Sequence, residues 1–198
     1  MSSPLYGLVL AGGRSSRMGA DKAALQYAGR TQLERAMALL APHVVRAYVS
    51  VRAEQRADPV RARYPQIADE LDDLGPIAGL LAAQAHHPQA AWLVLACDLP
   101  FLDELTLTQL LAARDAGGLA TAYRSSHDGL PEPLCAIYEP ASGPALRAYV
   151  AQGNRCPRRF LRQVAARLVT EPNPRALDNI NTPQEYAAAR AALGPDSP

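Results

Sequence analysis

The chain has 198 residues, 48% of them apolar, and its 20 basic and 19 acidic side chains give a net charge of +1. This length fits one domain of α/β size, and the apolar content excludes a disordered chain. The charge balance excludes a general electrostatic attraction to nucleic acids or acidic membranes, so we expect neither as a partner.

Apolar runs and capping patterns predict strands and helices that alternate along the first 120 residues. Strands are predicted at residues 6–10, 46–51, 91–96, 119–123 and 134–138, with a further strand that ends near residue 69. Helices are predicted at residues 31–40, 59–64, 75–86, 105–116, 141–152 and 160–166, and from residue 182 onward.

This alternation is typical of βαβ units, so it predicts an α/β fold in which helices cover both faces of a mainly parallel sheet. We expect one domain over residues 1–193 and a frayed tail at 194–198. The polar, turn-rich segment 124–133 is predicted to be a surface loop within that domain.

The sequence also bears on the compartment of the protein. No apolar run approaches the ~20 residues of a membrane span, and the first residues lack a basic segment followed by a long apolar one. Cys97, Cys135 and Cys156 are an odd, widely spaced set that makes neither a disulfide framework nor a CxxC metal site. We therefore expect reduced thiols and a cytoplasmic location.

A glycine-rich segment follows the first predicted strand, at the end of the strand where open parallel sheets bind ligands. Gly12 and Gly13 carry no Cβ, so the backbone can approach a ligand closely and direct N–H groups at a phosphate or a base edge. Arg14, Arg17 and Lys22 add positive charge. The segment matches neither GxxxxGK[ST] nor GxGxxG, and the alternative interpretation is an ordinary turn with solvated arginines.

Lys22 is the single lysine of the chain, against 19 arginines. Arginine serves wherever any cation is sufficient, so a retained lysine indicates a place where a compact ammonium fits and a planar guanidinium does not. Survival by chance is the alternative, and the surroundings of Lys22 have to decide between the two.

Two carboxylates follow predicted strands. Asp98 either caps the helix that begins near Asp103 or holds a metal ion. Because Mg²⁺ is usually bound by one or two carboxylates together with substrate phosphates and water, Asp98 alone is sufficient for a magnesium site. Asp69 follows the apolar pair Ile67 and Ala68, where it can accept hydrogen bonds from a base or a ribose.

A local basic patch surrounds Cys156 and Pro157 and consists of Arg155, Arg158, Arg159 and Arg162. It is either a solvated helix start or a seat for an anionic second substrate, and the residues by themselves leave both interpretations open.

Taken together, the motifs resemble the molybdenum cofactor guanylyltransferases, a family of the nucleotidyltransferase superfamily. The resemblance spans about residues 6–190 and rests on Leu10-Ala11-Gly12-Gly13, Arg17-Met18-Gly19, Asp21-Lys22, Gly75-Pro76-Ile77-Ala78-Gly79, Cys97-Asp98-Leu99-Pro100 and Asn179-Ile180-Asn181-Thr182-Pro183. The Gly-Gly pair goes with guanylyl transfer, whereas cytidylyl-transferring relatives have Ala-Gly.

The resemblance implies a single-domain Rossmann-like nucleotidyltransferase fold. It implies Mg²⁺-dependent transfer of GMP from GTP to the terminal phosphate of molybdopterin or molybdenum cofactor, with release of pyrophosphate. The implied nucleotide contacts are Leu10, Ala11, Gly12, Gly13, Lys22, Asp69 and Asp98, the last also on Mg²⁺. Arg17, Lys22 and Asp98 are the implied catalytic residues, and the candidates for the second substrate are Asn179, Asn181, Arg155 and Arg158.

Two positions depart from the family pattern. Ser50 stands where relatives commonly have an asparagine that contacts the nucleotide, and Glu132 stands where they often have a neutral polar residue or histidine. The departure at Glu132 keeps a second function open, nucleotidyl transfer to another acceptor, by cytidylyl transfer or onto a sugar phosphate. A third alternative is nucleotide binding by a regulator without catalysis, against which the presence of Lys22 and Asp98 argues. We expect a monomer, with proteins that deliver or accept the cofactor as further partners.

Overall fold

The computed structural model describes residues 3–13, 19–69, 71 and 74–194 of the chain. The strands are β1 Leu5–Leu10, β2 Gln26–Tyr27, β3 Arg30–Thr31, β4 Ala47–Arg52, β5 Gln66–Asp69, β6 Ala91–Ala96, β7 Ala120–Arg124, β8 Pro131–Tyr138 and β9 Arg167–Thr170. The α-helices are α1 Gln32–Leu40, α2 Pro76–His86, α3 Glu104–Ala112, α4 Ser142–Ala151, α5 Pro157–Gln163 and α6 Pro183–Leu193.

Within this described part of the chain, seven strands form one sheet in the order β5-β4-β1-β6-β8-β7-β9, and β2 and β3 form a separate hairpin. Within the large sheet β8 is antiparallel to both of its neighbours, whereas every other adjacent pair is parallel. The predicted mainly parallel α/β sheet is confirmed. The carboxyl ends of β5, β4, β1 and β6 consequently lie side by side at one edge, together with the start of β8.

Helices cover both faces of the sheet, as predicted. On one face α1 and α3 bury side chains such as Leu33 and Leu107 against the sheet residues Val9 and Leu95. On the other face α2, α4 and α5 contribute side chains such as Leu80, Leu146 and Phe160, which pack around Trp92. None of the helices in the described part of the chain is long and apolar enough to cross a membrane.

The elements with strong local signals occur where the sequence predicts them. Both predicted capping boxes form: Glu34 N donates to Thr31 Oγ1 at 3.2 Å, and Glu185 N donates to Thr182 Oγ1 at 3.2 Å. These hydrogen bonds satisfy backbone N–H groups in the first turn of each helix, which explains why α1 and α6 begin at the predicted positions.

Four predicted elements differ from the structure, and one of them is helix α5, which spans Pro157–Gln163 instead of residues 160–166. Residues 59–64 form turns rather than a helix, because Asp58 Oδ1 accepts the backbone N–H groups of Val60 and Arg61 at 3.1 and 3.0 Å. Helix α3 ends at Ala112, four residues before the prediction, and Asp115 then accepts a hydrogen bond from Gly117 in the turn that follows. The predicted loop 124–133 is a hairpin connection, since its first residue belongs to β7 and its last three begin β8.

Gly79 sets the distance between α2 and the sheet. A Cβ at this position would overlap Ser50 Oγ and would lie 2.9 Å from Leu10 Cδ2 and 3.2 Å from Ser50 Cβ. Ser50 and Leu10 are register partners on β4 and β1, at the edge where the strands end. The missing side chain therefore lets the start of α2 pack directly against that edge.

We expect Gly79→Ala to lower the free energy of unfolding by about 1–2 kcal/mol, because overpacking outweighs the gain in helix propensity. Gly143→Ala in α4 is the matched control, since the nearest atom to its added Cβ lies 3.5 Å away. The control should leave stability unchanged or raise it by up to about 1 kcal/mol. Urea denaturation measures both variants, and equal stability of the two would contradict the close contact at Gly79.

Candidate active site

A cavity of about 610 Å³ opens where the strands of the sheet end. Its lining includes all seven residues predicted to contact a nucleotide: Leu10, Ala11, Gly12, Gly13, Lys22, Asp69 and Asp98. They come from the ends of β1, β5 and β6 and from the segment after β1, which are far apart in sequence. The structure thus brings these residues together, and their contact with a nucleotide stays a prediction.

Lys22, Asp98 and Asn181 meet at one end of this cavity. The Lys22 ammonium donates to Asp98 Oδ2 at 2.8 Å and to Asn181 Oδ1 at 2.7 Å. The side chains of Lys22 and Asp98 are 19% and 17% exposed, so the pair is partly shielded from water but still reachable by a ligand. These surroundings favour the interpretation that Lys22 occupies a place that requires a compact ammonium.

Each member of this cluster is held by local backbone structure. Lys22 begins a short 3₁₀ helix whose N-cap, Asp21, accepts a hydrogen bond from Ala23 N at 3.1 Å. Asp98 follows β6, and its carbonyl accepts the Ile180 N–H at 3.1 Å. Asn181 immediately precedes the N-cap of α6, and its N–H donates to Glu185 Oε2 at 2.7 Å.

The structure excludes the first of the two interpretations of Asp98, in which it caps a helix, and the second, in which it holds a metal ion, stays a prediction. Helix α3 begins at Glu104, and its N-cap is Asp103, whose carboxylate accepts the Thr106 N–H at 2.8 Å. The Asp98 carboxylate instead lines the cavity beside the Lys22 ammonium. Helix capping therefore does not account for Asp98.

The glycine pair lies outside the left-handed region of backbone conformation, so neither position needs glycine for its φ angle. A Cβ at Gly12 would lie 3.6 Å from Arg52 Cγ, and a Cβ at Gly13 would meet no described atom within 4 Å. The protein itself thus leaves room for alanine at either position. The absence of side chains is useful for whatever enters the cavity.

Arg17, predicted to be catalytic, and Arg14 lie outside the described residues. Ser50, the first departure from the family pattern, is buried at the end of β4 and lines the same cavity. Its neighbour Arg52 also lines the cavity, pairs with Glu54 at 2.8 Å and is the register partner of Asp69. Sequence reasoning missed Arg52 because it belongs to none of the family motifs.

A second residue that sequence reasoning missed, Arg61, lies beneath the glycine-rich segment and is almost fully buried. Its guanidinium donates two hydrogen bonds to the Ala11 carbonyl, at 3.0 and 2.7 Å. It also donates two to the Asp21 carboxylate, at 2.5 and 2.8 Å. Burial by itself would raise the pKa of Asp21, but the hydrogen bonds and charge of Arg61 lower it below the ordinary value.

A second cavity of about 510 Å³ adjoins the first, and Leu134 lines both. Asn179 and Arg158, two of the candidates for the second substrate, line this second cavity, whereas Asn181 lines the first. Arg155 is exposed and lines neither of the two cavities described here. The residues predicted to contact the second substrate therefore lie in three places: the first cavity, the second cavity and the exposed surface.

Arg158 is neutralised within the second cavity. Its guanidinium pairs with Asp128 at 2.7 Å and with Glu132 at 3.1 Å, so the second departure from the family pattern is a partner of the predicted anion-binding arginine. Phe101 lines the same cavity and lies under the Arg175 guanidinium, which is 4.2 Å from the ring centroid. The cavity thus combines an aromatic face with paired charges.

The buried cysteines beside these cavities lie in surroundings that favour the protonated thiol. Burial raises the pKa of Cys97 to about 12, and burial also raises the pKa of Cys135.

The donor set at Asp98 fits a magnesium ion. Its carboxylate is a hard oxygen ligand at the rim of a cavity that has room for phosphate groups, and one such carboxylate is a usual protein contribution to a Mg²⁺ site. Within the described residues no group of three or more His, Cys, Asp and Glu side chains is placed to hold a metal. The assignment of Asp98 as a ligand of Mg²⁺, together with phosphate oxygens and water, stays a prediction.

Comparison with known proteins gives a consistent result. The model of a family described as the MobA-like NTP transferase domain matches residues 7–168. The chain is similar to the molybdenum cofactor biosynthesis bifunctional protein of Synechocystis sp., with 33% identity over 184 residues that cover 93% of this chain. It spans 53%, about half, of that relative.

Two further similarities extend over nearly the whole of both chains. The probable molybdenum cofactor guanylyltransferase of Trichormus variabilis is 31% identical over 195 residues, which cover 98% of this chain and 94% of that protein. The crystal structure of molybdopterin-guanine dinucleotide biosynthesis protein A from Archaeoglobus fulgidus has a TM-score of 0.78 and 26% identity, with coverage of 94% and 97%. The predicted Rossmann-like nucleotidyltransferase fold is confirmed.

Proposed function

The chain belongs to the family of MobA-like NTP transferase domains, as its motifs predicted, and we propose that it transfers GMP from GTP to the terminal phosphate of molybdopterin. In this reaction an oxygen of the acceptor phosphate forms a bond with the α-phosphorus of GTP. The bond between that phosphorus and the bridging oxygen of the β-phosphate breaks, and pyrophosphate leaves.

The observation that carries the proposal is that the Lys22–Asp98–Asn181 cluster lines the first cavity, while Leu99 and Ile180, the chain neighbours of Asp98 and Asn181, line the second. The glycine-rich segment and the strand ends surround the first cavity, which we assign to GTP. The second cavity, which shares Leu134 with the first, is assigned to the acceptor. A phosphate from each side would then meet at the cluster, which is where a reaction between two phosphates has to occur.

The chemistry requires charge stabilisation more than proton removal. The terminal phosphate of the acceptor is already an anion at neutral pH, so no strong general base is needed. The difficulty is to bring two polyanions together and to stabilise the charge on the α-phosphate and on the departing pyrophosphate. The Lys22 ammonium and the backbone N–H groups of the glycine-rich segment supply that stabilisation, and we include Arg17 from the same segment.

Mg²⁺ bound at Asp98 would supply further positive charge to the phosphate oxygens. Asn181 holds Lys22 from the other side, because its side-chain oxygen accepts the second hydrogen bond of the ammonium. The two acceptors thus fix the ammonium in position before the phosphates arrive, which reduces the cost of ordering it during the reaction.

The decisive experiment is a turnover panel of GTP, CTP, UTP and ATP with molybdopterin as the acceptor and Mg²⁺ present, read out by pyrophosphate release. Pyrophosphate with GTP and molybdopterin supports the proposal. Nucleotide binding without pyrophosphate from any acceptor would indicate a regulator. Release of pyrophosphate with a sugar phosphate, and none with molybdopterin, would indicate another acceptor. A molybdopterin-loaded carrier protein, added to the same assay, would reveal a delivering partner.

We expect GTP to be preferred over CTP by at least about tenfold, because the glycine pair leaves room for a purine edge against the backbone. Gly13→Ala should reduce kcat/KM for GTP and leave the stability of the fold unchanged, since its Cβ meets no described atom within 4 Å. Equal turnover of the two nucleotides by the wild type would contradict this basis for selectivity. Gly143→Ala, in α4 and outside the lining of the cavity, controls for a general effect of the substitution.

A further inference from the structure

The buried guanidinium of Arg61 connects the two ends of the glycine-rich segment, and we propose that Arg61 is the positioning residue for the nucleotide site. Ala11 stands at the start of that segment and Asp21 at its end, and both are hydrogen-bonded to Arg61. The inference rests on the proposed nucleotide transfer at this site. It assigns a role to a residue that lines neither cavity and belongs to none of the family motifs.

At the first end, Arg61 fixes the direction of one peptide group. Two of its N–H groups hold the Ala11 carbonyl oxygen, at 3.0 and 2.7 Å. Because the peptide unit is planar and trans, the N–H of Gly12 points to the side opposite that carbonyl. Gly12 lines the cavity whereas Arg61 lies behind the segment, so the same contact turns the Gly12 N–H toward a bound nucleotide.

At the second end, Arg61 fixes the residue next to the catalytic lysine. The two oxygens of Asp21 accept from Arg61 at 2.5 and 2.8 Å, a bidentate pair that only a guanidinium can form. Asp21 is also the N-cap of the short helix that begins at Lys22. The position of Asp21 therefore determines the position of the Lys22 backbone. The backbone in turn determines whether the ammonium reaches Asp98 and Asn181.

Arg61 does not act as an attractor of phosphate. Its charge faces two carboxylates, Asp21 and Asp58, the latter at 3.1 Å, and the three side chains together carry a net charge of −1. The positive charge of Arg61 is thus neutralised by carboxylates of the protein itself. Its effect on a nucleotide has to come from the geometry that it imposes on the segment.

The chain offers a matched set of variants for a test. Arg61→Lys keeps the charge but cannot hold Ala11 and Asp21 at the same time. Asp21→Asn keeps the shape and removes the bidentate carboxylate. Asp58→Asn is the control, because Asp58 contacts the same guanidinium but shapes only the turn at residues 58–61.

The experiment measures the dissociation constant of GTP by calorimetry and kcat/KM for GMP transfer, at a temperature where thermal unfolding shows every variant to be folded. We expect Arg61→Lys and Asp21→Asn each to weaken GTP binding at least tenfold. We expect Asp58→Asn to bind GTP within twofold of the wild type, even where its melting temperature falls. The double variant Arg61→Lys/Asp21→Asn should bind no more than about twofold more weakly than the weaker single variant, because the two residues act as a unit.

Each result has a distinct meaning. If Asp58→Asn weakens GTP binding as much as Asp21→Asn, Arg61 merely maintains the fold and the inference is wrong. If Arg61→Lys and Asp21→Asn bind GTP as the wild type does, the inference is also wrong, while the proposed function stands. If the wild type binds no nucleoside triphosphate at all, the proposed function fails and the inference fails with it.

Discussion

Replacement of Asp98 by asparagine is expected to reduce kcat/KM for GMP transfer by about 100-fold or more, a loss of about 2.7 kcal/mol of transition-state stabilisation. Asparagine has the same shape but no negative charge, so it neither holds Mg²⁺ as a carboxylate does nor pairs with the Lys22 ammonium. The partly exposed side chain lies at the rim of the cavity, and the fold should therefore survive.

The measurement is steady-state turnover as a function of Mg²⁺ concentration, with circular dichroism to verify folding. Asp103→Asn is the matched control in the same loop: it makes the same chemical change at the N-cap of α3, where asparagine is also a good cap. A wild-type rate and Mg²⁺ dependence in Asp98→Asn would remove Asp98 from the metal site.

Replacement of Lys22 should have the next largest effect. Lys22→Ala removes a charge-assisted hydrogen bond to phosphate worth about 1.5–3 kcal/mol, which corresponds to a roughly ten- to hundredfold loss of rate if it acts in the transition state. Lys22→Arg should cost less but still reduce activity, because a planar guanidinium does not fit between acceptors at 2.8 and 2.7 Å that are placed for one nitrogen.

The two variants are compared by kcat/KM for GTP, with Arg63→Lys as the control. Arg63→Lys also exchanges an arginine and a lysine, but at an exposed position where Arg63 pairs with Glu34. We expect this substitution to leave kcat/KM for GTP unchanged. Unchanged activity of Lys22→Arg would show that the single lysine reflects chance. Unchanged activity of Lys22→Ala would show that Lys22 is not part of the site.

Sequence reasoning works here wherever the signal is local. The capping boxes at Thr31 and Thr182 are complete within four residues, and both helices begin as predicted. The predicted nucleotide contacts belong to short motifs that can be read from the sequence, and the structure places all seven around one cavity, while their role stays a prediction. Lys22 and Asp98 could each be selected as candidates from their own motifs, without knowledge of the hydrogen bond between them.

Interactions between distant parts of the chain account for what sequence reasoning missed. Arg61 makes its contacts across 40 and 50 residues, and nothing in the turn around it distinguishes it from the other arginines. Strand β9 is short and half-exposed, and its pairing with β7 defines it more than its own pattern does. The division of the second-substrate candidates among separate places likewise depends on tertiary packing.

The reversed direction of β8 has a consequence for how such an enzyme can change its substrate. A parallel strand brings its last residues to the binding edge, whereas β8 brings its first ones, since Leu95 of β6 pairs with Cys135. The tip of the β7–β8 hairpin therefore forms one wall of the second cavity through Ser125, His127, Asp128 and Glu132. If the second cavity holds the acceptor, as we propose, mutations confined to this single hairpin would change acceptor specificity and leave the strand ends around the first cavity as they are.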